Sequence, residues 1–163
     1  MEGFLTDFHL LLEEQIPLLM RYASALTRDA DVAEELVADT VREALAHQSD
    51  CRDNIRVWLL TILHDLRGNP FREMTLGVPP AGSPAAVLTL SDLDRALGQL
   101  EEEQRAIILL VGLECLSYPE TASVLRLAGS TLRSRLARAR AELRRLMGVA
   151  DRSRAPRRTR IAA

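Results

Sequence analysis

Ser117-Tyr118-Pro119-Glu120-Thr121-Ala122-Ser123-Val124-Leu125-Arg126-Leu127-Ala128-Gly129-Ser130-Thr131-Leu132-Arg133-Ser134-Arg135-Leu136-Ala137-Arg138-Ala139-Arg140 is the stretch on which the reading of this 163-residue chain turns. Ser117, with Glu120 three positions on, spells a capping box, and Pro119 stands in the first turn, where its missing N–H is harmless. The helix so opened is short and is expected to end near Arg126. Leu127-Ala128-Gly129 reads as a turn, and Ser130 as the cap of a long last helix whose inward face is Leu132, Leu136, Ala139, Leu143, Leu146 and Met147. Two helices across a three-residue turn, the second strongly basic, form a helix-turn-helix candidate. The amino end of such a helix enters the major groove, which makes Ser130, Thr131, Arg133, Ser134, Arg135 and Arg138 candidates for reading base edges. Arg140, Arg144 and Arg145 lie further along and fit phosphate contacts. A solvated basic face on an ordinary bundle helix is the bland alternative. The short helix, turn and long helix together favour DNA.

Working outward from this stretch, helical periodicity dominates and no alternating strand emerges. A short helix over 102–114 precedes the capping box. Before it, a helix opens at Ser91 with Leu93, Ala96, Leu97 and Leu100 as its apolar face. Residues 76–90 carry no charge, three prolines and two glycines, which reads as a partly extended linker. Ahead of that linker runs the cleanest stripe in the chain, Ile55, Trp58, Leu59, Ile62, Leu63 and Leu66, at helical spacing throughout. On so regular a stripe Trp58 is read as a core residue rather than a platform for an unstacked base. Gly68-Asn69-Pro70 suits a left-handed cap and a stop. Asp31 to Glu34 reads as a variant capping box. The helix after it turns Val32, Leu36, Val37, Thr40, Val41, Ala44 and Leu45 inward, and Glu35, Asp39 and Arg42 outward. The first helix, over 4–27, places Phe8, Leu11, Leu12, Ile16, Leu19, Ala23 and Leu26 on one face, with Pro17 expected to kink or restart it. The fold class is therefore all-α: two small helical domains, 1–75 and 91–150, joined by the Pro/Gly-rich linker 76–90, the second domain containing the helix-turn-helix. The tail 151–163 is Arg-rich with little to bury and is expected to be disordered when free.

Charge divides the chain. The net charge of −2 conceals 7 Arg against 14 acidic residues in 1–90, and 14 Arg against 9 in 91–163. An acidic front and a basic back point to one protein partner and one polyanionic partner. No apolar run reaches the length of a membrane span, and Met1-Glu2-Gly3-Phe4 does not open a secretory signal, so a cytoplasmic protein is expected. Cys51 and Cys115 form neither a disulfide framework nor a metal-spaced cluster, and His47 with Cys51 has no further ligand at suitable spacing. No catalytic constellation or phosphate loop is evident. The reading is of a protein that is not an enzyme, with no metal, cofactor or small-molecule substrate.

The segments Leu100 to Leu110, Leu116 to Ala122 and Ser130 to Arg140 closely resemble the carboxy-terminal domain of bacterial extracytoplasmic-function sigma factors. Tyr22 to Thr27, Ala33 to Thr40 and Arg56 to Leu63 resemble that family's first domain, in order and at suitable spacing. The resemblance covers residues 12–147. It implies a dissociable subunit of RNA polymerase whose partners are core polymerase, promoter DNA and an anti-sigma factor. The first domain would dock on the polymerase clamp through Glu34, Glu35, Leu36, Val37, Asp39 and Thr40 and help open the minus-ten element. The second would read the minus-thirty-five element through Ser130, Thr131, Arg133, Ser134, Arg135, Arg138, Arg140 and Arg144. The chain departs from the family's habit at Ala38, usually Gln, at Glu101, commonly Pro, and at Arg126, usually Gly. It departs again after Trp58, where a basic helix for minus-ten DNA is broken early and only Arg67 and Arg72 offer charge.

Two other readings stand beside it: a sigma-like mimic that binds an anti-sigma factor, and a plain helix-turn-helix regulator. The linker's composition further predicts that the two domains move independently, or pack only through a partner or weak apolar contact.

Overall fold

The computed structural model describes residues 2–51, 54–68 and 90–148, with side chains from Phe8 onward. The linker and tail assigned from sequence, with Asn69, Pro70 and Arg72, lie outside the described residues, apart from Leu90. Seven α-helices follow in order: α1 Glu2–Thr27, α2 Ala30–Ala46, α3 Ile55–Arg67, α4 Leu90–Gln99, α5 Glu102–Ile108, α6 Tyr118–Val124 and α7 Gly129–Leu146. A 3-10 turn at Gln48–Asp50 follows α2, and a π turn at Leu109–Leu113 extends α5.

The helix ends show where local chemistry overrode the sequence reading. α1 runs unbroken through Pro17, where a kink or a restart was expected, so the helix does not restart there. It ends at Arg28, which takes the left-handed conformation at φ 59°. The cap of α2 is Asp29, not Asp31: its carboxylate accepts from Val32 N at 3.2 Å. Asn54 caps α3, accepting from Arg56 N and Val57 N. Gly68 stays right-handed at φ −74°, so no left-handed cap forms there. The capping box at α6 is complete, Ser117 accepting from Glu120 N while the Glu120 carboxylate takes Ser117 N–H. Ser130 is not the cap of α7; the helix begins at Gly129 behind Ala128, which offers no side-chain bond.

α1, α2 and α3 pack on one another, and α7 lies across α4, α5 and α6. These front and rear groups are not independent. α3 packs on α6, and α1 packs on α5 and the π turn. One apolar cluster joins Leu19, Tyr22, Leu36, Leu59, Leu60 and Leu63 of the front to Ala106, Leu109, Leu110, Leu116 and Val124 of the rear. Trp58 is half-buried against it, edge-on to Phe8 at 6.3 Å between ring centroids, as a core residue should be. A second cluster of Ile107, Ala122, Leu132 and Leu136 holds the helix-turn-helix together. Leu11 and Leu45, expected inward, are exposed.

Two buried charges cross the seam. Arg105 of α5 donates to the carbonyls of Leu26, Leu97, Gly98 and Leu100, at 2.7–3.2 Å. It thereby satisfies the carboxyl ends of α1 and α4, where a cation also suits the helix dipoles. Burial pulls its pKa down from the usual arginine value. Glu114, fully buried, follows the π turn and takes Arg21 from α1 and Arg56 from α3. Because one core serves both groups, Leu110→Ala is expected to cost about 2–5 kcal/mol and to lower a single calorimetric unfolding transition. Two separate transitions, only one of them shifted, would contradict the shared core.

Candidate nucleic-acid interface

α7 is amphipathic in a way that separates structure from recognition. Leu132, Leu136 and Ala139 are buried, and Leu143, Leu146 and Met147 are half-buried. At 3.6 residues per turn, the opposite face carries Ser130, Arg133, Ser134, Arg138, Arg140, Arg144 and Arg145, all exposed. Arg133, Arg138, Arg140 and Arg144 have no ion-pair partner among the described residues, whereas Arg145 is held by Glu142 at 2.6 Å. Thr131 and Arg135 fall on the flank and are half-buried. Arg135 is ion-paired with Glu103 at the start of α5, a partner that helical spacing on α7 alone does not reveal.

Ahead of α7, Arg126 occupies the left-handed region at φ 52°, the conformation a glycine would adopt most readily. Glu101, standing at the amino end of α5, has φ −57°, close to the angle proline imposes. At these two positions, where the resemblance led to glycine and proline being expected, the backbone keeps the shape those residues favour. The Arg126 side chain reaches Asp65 of α3 at 2.9 and 2.5 Å, and this pairing raises its pKa.

On α2, the six residues assigned to polymerase divide by burial. Glu34 and Glu35 are exposed, and Asp39 is half-buried and paired with Arg42 at 2.6 Å. Leu36 and Val37 are core residues, and Thr40 is fully buried with its hydroxyl donating to Leu36 O at 2.7 Å. The structure thus gathers Glu34, Glu35, Ala38 and Asp39 towards solvent and leaves the other three beneath them as support. At the end of α3, Arg67 is only 10% exposed in its side chain, because Glu102 of α5 takes it at 2.6 Å.

His47 is exposed beside Glu43, and Cys51 packs half-buried against the front core. Among the described residues no group of three or more His, Cys, Asp or Glu could hold a metal ion. Also among the described residues, no helix is long and apolar enough to cross a membrane.

With that geometry in hand, the relatives are informative. Residues 90–143 match the model of sigma-70, region 4, and residues 12–64 match that of the sigma2 domain of PhyR. The chain is 33% identical over 147 residues to the ECF RNA polymerase sigma factor EcfG of Rhodopseudomonas palustris, covering 82% of this chain and 81% of that one. A solved structure of the sigma factor RpoE in complex with the anti-sigma factor NepR, from Bartonella quintana, is similar at TM-score 0.69 and 31% identity. That match covers 88% of this chain and 98% of the other. CnrH, solved in complex with the cytosolic domain of CnrY, is similar at TM-score 0.67 and 26% identity, over 88% of each chain. The chain belongs to the extracytoplasmic-function RNA polymerase sigma factors.

The burial pattern on α2 separates support from surface in a measurable way. Leu36→Ala is expected to destabilise the protein by about 2–5 kcal/mol, whereas Glu34→Ala should change stability by less than about 0.5 kcal/mol. Equal, small losses in chemical denaturation would place Leu36 at the surface instead.

Proposed function

We propose that this sigma factor binds core RNA polymerase through the exposed acidic face of α2 and directs initiation at promoters, reading the minus-thirty-five element with α7. The open basic face of α7, held rigidly on a buried apolar seam, is the observation that carries this reading. Residues 1–75 act as the polymerase-docking and minus-ten domain, 76–90 as the linker, 91–150 as the minus-thirty-five domain and 151–163 as a basic tail. Clamp docking uses Glu34, Glu35 and Asp39 directly, with Leu36, Val37 and Thr40 fixing the helix that presents them. Base reading falls to Ser130, Thr131, Arg133, Ser134 and Arg138, joined by Arg135 once it leaves Glu103. Arg140 and Arg144 grip phosphates. The chain works in the cytoplasm and contributes selection, with no catalysis of its own. RpoE and CnrH are each held by an anti-sigma partner in their solved complexes, and a partner of that kind is assigned to this chain as well.

Two sets of variants test the division of labour. Glu34→Arg combined with Glu35→Arg should abolish core-polymerase binding with helicity unchanged. Undiminished binding would place the docking surface elsewhere. Arg138→Ala should lose about 1–3 kcal/mol on the preferred duplex and much less on scrambled DNA. Arg144→Ala should weaken both duplexes alike and lower the salt slope by about one unit. Equal losses on both duplexes for Arg138→Ala would remove α7 from the major groove.

A further inference from the structure

We infer that residues 149–163 are a second DNA-binding element, which grips phosphates of the duplex flanking the minus-thirty-five element and prolongs the track of arginines on α7. The tail's place on the promoter rests on the function proposed above; its grip on duplex DNA does not. The surface it departs from is described, although its own residues are not. Seven and eleven positions are close to two and three whole helical turns, so Arg133, Arg140 and Arg144 fall on one line along α7. All three are exposed and have no ion-pair partner among the described residues, while Arg145 beside them is held by Glu142. The line covers about 16 Å and ends at Arg144, in the last turn of the helix. Met147 closes that turn, donating to Leu143 O at 3.0 Å, and Gly148 takes the left-handed region at φ 67°. The tail begins where the arginine line stops.

The tail's chemistry matches that line. It carries Arg152, Arg154, Arg157, Arg158 and Arg160 against one acid, Asp151. Together, α7 and the tail hold 11 arginines and two acids over 129–163, and one of those acids, Glu142, is already taken by Arg145. The surface beside the tail therefore repels it until a polyanion neutralises both. The exposed acids of α2 do not stand close by, since α2 packs on α1 and α3 while α7 packs on α4, α5 and α6. Val149 and Ile161 are the tail's only large apolar side chains, too few to seat it in an apolar groove, which leaves charge as its means of binding.

The dimensions carry the tail past the element that α7 reads. The 18 residues of α7 span about 27 Å, and the major groove is about 12 Å wide. With its amino end in the groove, the helix delivers its carboxyl end over the bordering phosphates or beyond them. The 15 residues after Gly148 reach at most about 50 Å, or about 15 base pairs at 3.4 Å each. Phosphate contacts carry no sequence information, so the tail adds affinity and salt dependence and leaves selection to α7.

The test compares the full chain with a variant combining Arg152→Gln, Arg154→Gln, Arg157→Gln, Arg158→Gln and Arg160→Gln. Both are titrated at several salt concentrations with a duplex ending at the edges of the preferred element, and with one carrying about 15 further base pairs of arbitrary sequence on each side. On the long duplex the variant should lower the salt slope by about 2–4 units, at about 0.9 unit per phosphate neutralised, with the preference over scrambled DNA unchanged. On the short duplex the two proteins should differ by less than about one unit. Arg→Lys at the same five positions should keep the parent's slope. Equal slopes for parent and Gln variant on the long duplex overturn the tail's grip. A difference equally large on the short duplex overturns it too, as does a loss confined to core-polymerase binding. A parent that grips the long duplex through its tail without preferring any sequence would sink the proposed function and leave the grip intact. A parent that binds neither duplex overturns both.

Discussion

Charge taken out of water at the seam between the front and rear helices is the constraint on which this structure depends. Glu114 and Arg105 are both buried, and each finds partners across the seam as its own half alone could not supply them in full. Removing one partner of a buried pair costs about 3–5 kcal/mol, against about 0–1 kcal/mol for an exposed pair. A domain of ordinary stability has only about 5–15 kcal/mol to lose. Arg28–Asp94 and Arg126–Asp65 also cross the seam, but their carboxylates are open to solvent and they steer more than they hold. Glu114 ties the rear to α1 and α3 and Arg105 ties α5 to the ends of α1 and α4, and with the apolar cluster they fix how front and rear meet.

That meeting decides what the molecule shows to the outside. With α6 fixed by its complete capping box and by α3 behind it, α7 can turn only one side inward, and Leu132, Leu136 and Ala139 select that side. The exposed remainder of the helix is dominated by arginine: Arg133, Arg138, Arg140, Arg144 and Arg145. On α2 the same division gives an exposed acidic face over Leu36, Val37 and Thr40. An acidic surface on α2 and a basic one on α7 suit a single small chain to one protein partner and one polyanion. Arg126 and Glu101 adopt the angles that glycine and proline would have supplied.

Much of this was legible in the sequence, because periodicity and capping are local. The Ser117–Glu120 box, the α3 stripe and the basic last helix were read from residues within a turn or two of each other. Ends that depend on competition between neighbours were not: Asp29 won the cap from Asp31, and Ala128 stands where Ser130 was expected. The α2 residues expected at the polymerase read as one stretch, and only the packing of α1 and α3 shows that three of the six face inward. The buried charges were invisible for a different reason. Glu114 sits among apolar residues in sequence and Arg105 closes an acidic run, Glu101 to Glu103, and nothing local says whether such a charge faces water or a partner as far as 93 positions away. The uncharged linker composition likewise gave no hint of a seam made by residues far from it.

Transcription itself tests the central claim most directly. Purified chain and core RNA polymerase, incubated with a library of promoter-length duplexes, should yield transcripts from discrete start sites, each preceded by common minus-thirty-five and minus-ten sequences. Core polymerase without the chain should yield none of them. Transcript levels and start sites unchanged by the chain, under conditions where it binds core polymerase, would contradict the account.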